Sequence, residues 1–270
     1  MVYCVKNGDP EPSIETPEDK PNFTLKVDPN AKIEYDEDGE PKPIYAYLEL
    51  QGLEDGQNVT IEQNGQKTDY TLSKTVANSV QLEVEPNDVI KVYGKLRAFK
   101  AQADRLVACE LGENDDLEVL DLMMNKISEL NLTQLPNLRE LSVTNNKLTS
   151  IDLGNLKKLQ QFYGSYNKVG KLDTSKNPDL EVLACAAMGL TELDLSKNAK
   201  LENLTAGKNN YATFPDLSNK TSMKWIDMED CGMKGFDATI FPKLKFLDLS
   251  GNRLTNIDLS KNSLLRKLDL

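Results

Sequence analysis

The sequence predicts a mainly β protein, most of it a solenoid of short stacked coils. Three observations carry this expectation. A leucine-led unit recurs from residue 96 to residue 270, alternating apolar and polar runs precede it, and the composition is acidic with no histidine.

Successive units begin at Leu96, Leu117, Leu138, Leu159, Leu180, Leu201, Met223, Leu244 and Leu265. Every step is 21 residues except the 22 from Leu201 to Met223, and chance does not hold a phase over eight steps. Within a unit the pattern is Leu-x-x-Leu-x-Leu-x-x-Asn-x-Leu, clearest from Leu138 to Leu148 and from Leu244 to Leu254. A second triplet follows, as in Ile151-Asp152-Leu153, Leu193-Asp194-Leu195 and Ile257-Asp258-Leu259.

The period dictates the architecture. Counted from the leading residue, positions four and six of a short strand face inward and positions three, five and seven face outward. One unit cannot bury its leucines alone, so units stack and their strands form one parallel sheet with a short irregular convex side. Nine strands spaced by about 4.8 Å give a sheet roughly 40 Å long. Position nine reads Asp104, Asn125, Asn146, Asn167, Met188, Asn209, Cys231, Asn252. The amides of this ladder can bond backbone groups that the coils bury. Cysteine substitutes at this place in the repeat pattern; Met188 cannot make those bonds, so its turn is expected to be looser or rearranged.

Upstream, six runs read as strands: Phe23–Val27, Ile44–Leu50, Val59–Glu62, Asp69–Leu72, Val80–Val84 and Val89–Tyr93. Turn signals at Asp28-Pro29-Asn30, Asp38-Gly39, Asn64-Gly65 and Glu85-Pro86-Asn87-Asp88 separate them. The chain therefore divides into a β-rich N-terminal cap at residues 22–95 and the solenoid at residues 96–270, eight full repeats and a partial one. Residues 1–21, with four prolines and mostly acidic charge, are too poor in apolar surface to offset ordering entropy and read as a flexible tether.

With these residues in view, the chain resembles secreted bacterial leucine-rich-repeat proteins of the 21-residue class, common in Bacteroidetes. The resemblance is strong over residues 96–270 and weaker over the lead-in from Thr71-Leu72-Ser73 to Val92-Tyr93-Gly94. It implies a leucine-rich-repeat solenoid in an exported or surface protein that binds a partner, frequently through a lipid-anchored form, and it implies no chemistry. Met188, the extra residue near Pro215 and the weak triplets Leu172-Asp173-Thr174 and Phe236-Asp237-Ala238 depart from the pattern. The short unit suggests a flat or weakly curved solenoid. The final Leu265–Leu270 stops inside a unit, which reads either as a fragment or as an open edge for self-association. Met1-Val2-Tyr3-Cys4 has two readings: the tail of an export signal with Cys4 as the lipid-attachment residue, or, with more weight, an ordinary irregular start.

Composition excludes several function classes. A net charge of −11 and the lack of a basic stripe argue against nucleic-acid binding. The absence of histidine removes the commonest general base and metal ligand, so neither catalysis nor a cofactor or metal is expected. Cys109, Cys185 and Cys231 fall at inward or ladder positions and read as packing residues. Glu110, Asp152, Asp173, Asp194, Asp216, Asp237 and Asp258 form an acidic column at position fifteen, read as solvated turns rather than a calcium site.

A ligand would be read by the outward strand positions. Two clusters stand out: Tyr163 with Tyr166 beside Ala184, Ala186 and Ala187, and Trp225 with Phe246 bordered by Asp227, Glu229, Asp230 and Asp248. The competing structural reading stacks Trp225 and Phe246 on each other or under a loop. The expected function is protein–protein interaction at the bacterial surface or outside the cell. Glycan capture by the aromatic clusters is the alternative, and a hydrolase built on Asp227 and Glu229 or Asp248 is far less favoured.

Overall fold

A computed structural model describes residues 20–102 and 105–270. Cys4 and the expected tether up to residue 19 lie outside the described residues, as do Asp104 and the side chain of Gln102.

The six upstream runs form strands β1 (Phe23–Val27), β2 (Ile44–Gln51), β3 (Gln57–Gln63), β4 (Gln66–Leu72), β5 (Asn78–Val84) and β6 (Val89–Tyr93). Alternation decides their faces. In β2, Ile44, Ala46, Leu48 and Leu50 are buried, while Tyr45, Tyr47, Glu49 and Gln51 look away from the core. The β3–β4 hairpin turns at Asn64-Gly65, whose φ values of 53° and 77° require the residue types that tolerate left-handed backbone.

The solenoid contributes β7 (Ala98–Gln102), β8 (Leu106–Leu111) and then one three-residue strand per coil. These are β9 (Val119–Asp121), β10 (Glu140–Ser142), β11 (Gln161–Tyr163), β12 (Val182–Ala184), β13 (Asn203–Thr205), β14 (Trp225–Asp227), β15 (Phe246–Asp248) and β16 (Lys267–Asp269). Strands β7 and β9 to β16 pair in parallel with the register that the 21-residue phase requires, including across the 22-residue step, where Asn203 faces Trp225. Unit-leading residues from Leu96 to Leu244 are fully buried. The second triplets bury residues such as Leu132, Leu153, Leu195 and Leu217, and only β8 of the first coil makes a strand on that side among the described residues.

The parallel sheet does not end at the first coil. On its free edge β7 pairs antiparallel with β2, and β2 with β5, giving eleven strands in the order β16 to β9, β7, β2, β5. On the other side of the first coil β8 pairs with β1, completing a second sheet of order β4-β3-β6-β1-β8. The two sheets pack face to face, with Phe23 of β1 stacked on Phe99 of β7 at 4.2 Å. A bare β7 edge would expose a row of unpaired N–H and C=O groups, and β2 covers it. Lys126 of the second coil adds an ion pair to the buried Asp28 at 2.5 Å, which holds that carboxyl below its usual range.

Ladders hold the coils together. Asn146 Nδ2 donates to the carbonyls of Leu122 and Val143, and its Oδ1 accepts from Ile127 N–H; Asn125 and Asn167 repeat this geometry. Met188 breaks the pattern as expected, and the turn is rearranged. Gly170 N–H now donates to Met188 O, and Asn209 Oδ1 accepts Met188 N–H in addition to Leu190 N–H. The same compensation recurs at Cys231, whose N–H bonds Asn252 Oδ1 and whose thiol reaches Ala206 O. Each of these two residues is followed by a glycine at positive φ, Gly189 at 74° and Gly232 at 72°.

A second ladder, at position nineteen, was not anticipated. It reads Asn114, Leu135, Leu156, Asn177, Asn198, Lys220, Phe241, Asn262, and all eight are buried. Most of the acidic column at position fifteen is made of turn caps, while Glu110 lies in β8 and pairs with Lys26. Asp173, Asp194, Asp216 and Asp258 each accept the N–H two residues on, from Ser175, Ser196, Ser218 and Ser260, and these bonds lower the four pKa values.

Candidate binding face

The outward face of the sheet is set by strand alternation and by a left-handed residue at position eight. Met124, Asn145, Tyr166, Ala187, Lys208 and Asp230 all have φ between 51° and 60°, and their N–H groups bond the next coil, from Thr144 O to Ser250 O. This turn swings the position-eight side chain out to solvent, which explains why Tyr166 is 52% exposed. Tyr163, at position five, is half-buried and its hydroxyl donates to Gln161 Oε1 at 2.8 Å. Burial, then the nearby Glu140, raises its pKa.

The second cluster departs from two exposed rings. Trp225 and Phe246 stack at 3.5 Å with 6° between planes, and Lys267 Nζ sits 4.9 Å over the Phe246 ring. Phe246 is therefore covered, at 7% exposure, while Trp225 remains 41% exposed. One row over, Asp227, Asp248 and Asp269 stand in register on adjacent strands. Asp227 and Asp248 each accept a backbone N–H two residues on, from Glu229 and Ser250. Burial, followed by repulsion from Asp248 and Glu229, lifts Asp227 above the usual carboxylate range. Glu229 is paired with Lys208 at 2.9 Å.

The family profile described as Leucine Rich Repeat matches residues 137–159 and 243–270. A functional domain of InlJ from Listeria monocytogenes, described as including a cysteine ladder, is similar at 32% identity and TM-score 0.54. That likeness covers 58% of this chain and 35% of that one, so the chain spans about a third of the Listeria domain. Internalin C2 of Listeria monocytogenes is similar at 20% identity and TM-score 0.55, over 58% of this chain and 72% of that one, a likeness of fold. None of the curated protein sequences compared with the chain matches it. The solenoid is a leucine-rich-repeat fold.

Within this leucine-rich-repeat fold, sequence reasoning missed part of the outward face. Because β2 extends the sheet, Tyr45, Tyr47, Glu49 and Gln51 lie on the same side as Lys100, whose Nζ is 3.3 Å from Glu49. Tyr47 is 53% exposed, and its ring centroid is 6.4 Å from that of Tyr45. The alternation of Tyr45 and Tyr47 was visible; the sheet they join was not.

The three thiols fit their packing roles. Burial pushes Cys109 and Cys185 up to about 12 and raises Cys231, so none is poised as a thiolate near neutral pH.

Proposed function

We propose that the protein is a non-enzymatic scaffold that binds another protein through the outward face of its eleven-stranded sheet. One observation supports this most: Tyr47, Tyr166 and Trp225 are exposed on one side of a rigid, continuously hydrogen-bonded sheet. Large aromatics in that setting provide contact area at little entropic cost. Tyr163, Asp227, Glu229, Phe246 and Asp248 complete the proposed contact set. Trp225 supplies the open ring and Phe246 backs it.

The test uses the full chain immobilised and presented with extracellular proteins and a polysaccharide panel. Trp225→Ala combined with Tyr166→Ala should lower retention of a specific protein at least roughly tenfold, the scale of one hot spot. Lys171→Ala, on the far turn, should leave retention unchanged. Equal loss with both would sink the proposal. Retention on a polysaccharide lost with Trp225→Ala would favour the glycan reading, which the single open indole face supports only thinly.

Export is part of this reading, as is lipid attachment at Cys4. Both rest on the sequence resemblance and are checked by lipid labelling of the precursor and protease access on intact cells.

A further inference from the structure

The aromatic column of the last coils already holds one cation. Phe246 lies between Trp225 on one side and the Lys267 ammonium on the other, with Asp248 and Asp269 in the neighbouring row. The opposite end of the column is the open face of Trp225.

That end meets a step in the surface. At positions three, five and seven the coil beside Trp225 presents Asn203, Thr205 and Gly207. Gly207 is required there, since a Cβ would lie 2.9 Å from both the N and the O of Glu229. Small residues thus leave the indole uncovered, with Asp227 two residues on along its own strand and Asp248 opposite Asp227 on the next strand. Charge is uneven along the face. The coils led by Leu159, Leu180 and Leu201 offer no charged side chain at positions three, five and seven, whereas the next three carry Asp227, Glu229, Asp248 and Asp269 against Lys267. Lys208, at position eight of the coil that borders Trp225, is already paired with Glu229.

We propose that the open face of Trp225, with Asp227 on its own strand and Asp248 in the same row one strand further, receives an arginine or lysine side chain from a basic segment of a protein partner. Charge complementarity selects such a segment, and Lys267 shows the same cation-over-ring contact made within the chain. The inference rests on the protein-binding reading above and specifies the chemistry of its partner.

Trp225 is the sole tryptophan of the chain, so its fluorescence reports this place directly. The full chain is titrated with acetyl-triarginine amide, acetyl-triglutamine amide and cellotetraose. Triarginine should give a saturable change that weakens as salt rises, because exposed charges are screened within about 10 Å at 0.1 M. Asp227→Asn with Asp248→Asn keeps both turn acceptors, since an amide oxygen replaces a carboxylate oxygen, and should weaken triarginine about three- to tenfold. No response to triarginine, an equal response to triglutamine, a response only to cellotetraose, or indifference to the two substitutions would each overturn the proposal. If triarginine fails while the aromatic substitutions still abolish protein retention, the cationic partner is wrong and the binding face stands. If both fail, the protein-binding reading falls with it.

Discussion

The two edges of each coil use the same residue type with different completeness. At the inner edge, Asn146 engages both ends of its amide, and so do Asn125, Asn167, Asn209 and Asn252. At the outer edge, Asn177 and Asn262 donate to two carbonyls each but leave Oδ1 without a partner, and Asn114 leaves both side-chain atoms unpaired. Asn198 is the outer member whose oxygen is served, by the Thr174 hydroxyl at 2.8 Å. The inner edge accordingly admits a different residue only with compensation, the extra bonds to Asn209 and Asn252. The outer edge admits Leu135, Leu156, Phe241 and even Lys220. A buried amide fixes the sequence where all its bonds are made, and where they are not an apolar side chain serves as well.

The contrast is sharpest at Asn146. Replacement by Leu strands Ile127 N–H and takes one of the two amide donors from each of the Leu122 and Val143 carbonyls, which keep Asn125 and Asn167, and should cost about 3 kcal/mol in urea unfolding. Asn177→Leu loses two donated bonds but also removes an orphan oxygen, so about 1 kcal/mol is expected in the same assay. Asn114→Leu should be neutral or gain up to about 1 kcal/mol, because nothing it bonds is lost. A loss at Asn114 equal to that at Asn146 would break the comparison.

Lys220 extends the contrast to pH. Its side chain is fully buried, its ammonium donates to Asn219 Oδ1, and burial lowers its pKa. A lysine with a folded pKa below its unfolded value penalises the fold while charged in both states; the penalty fades as pH rises toward about 10.4. Lys220→Met should therefore stabilise at pH 7 by an amount comparable to the Asn114 substitution. The gap to the unsubstituted chain should narrow in alkaline buffer, and a constant gap would contradict the assignment.

The smallest effect belongs to the turn-capping acids. Asp173, Asp194, Asp216 and Asp258 have depressed folded values, so their contribution is present above the unfolded pKa of about 3.9 and is lost as pH falls through the folded ones. Asp258→Asn keeps the bond to Ser260 N–H and should slightly flatten the acid limb of the stability profile. An unchanged limb would show that this cap carries no pH dependence.

Much of this was legible in the chain itself. The phase of the leading leucines gave the strand register, including the crossing of the 22-residue step. The position-nine asparagines announced the inner ladder, and Met188 announced its interruption. The outer ladder escaped notice because asparagine, leucine, lysine and phenylalanine share no chemical signature; only their common burial marks the position. Of the proposed contact residues, Trp225 and Tyr166 are the open ones. Stacking of Trp225 and Phe246 was one of two readings open in the sequence, but which ring would be covered was not legible, because a period of two assigns a face and not a neighbour.

What the sequence determined by itself is therefore whatever depends on local period: the coils, their register, the inward leucines and the outward rows. The tertiary structure alone decided three things. It stacked Trp225 on Phe246 under Lys267, it joined Tyr45 and Tyr47 to the repeat face, and it closed the first coil between two sheets. Each depends on which strand fills an unpaired edge or which ring covers another. Those choices are settled by backbone hydrogen bonds and side-chain packing between residues distant in the chain, where no local periodicity reaches.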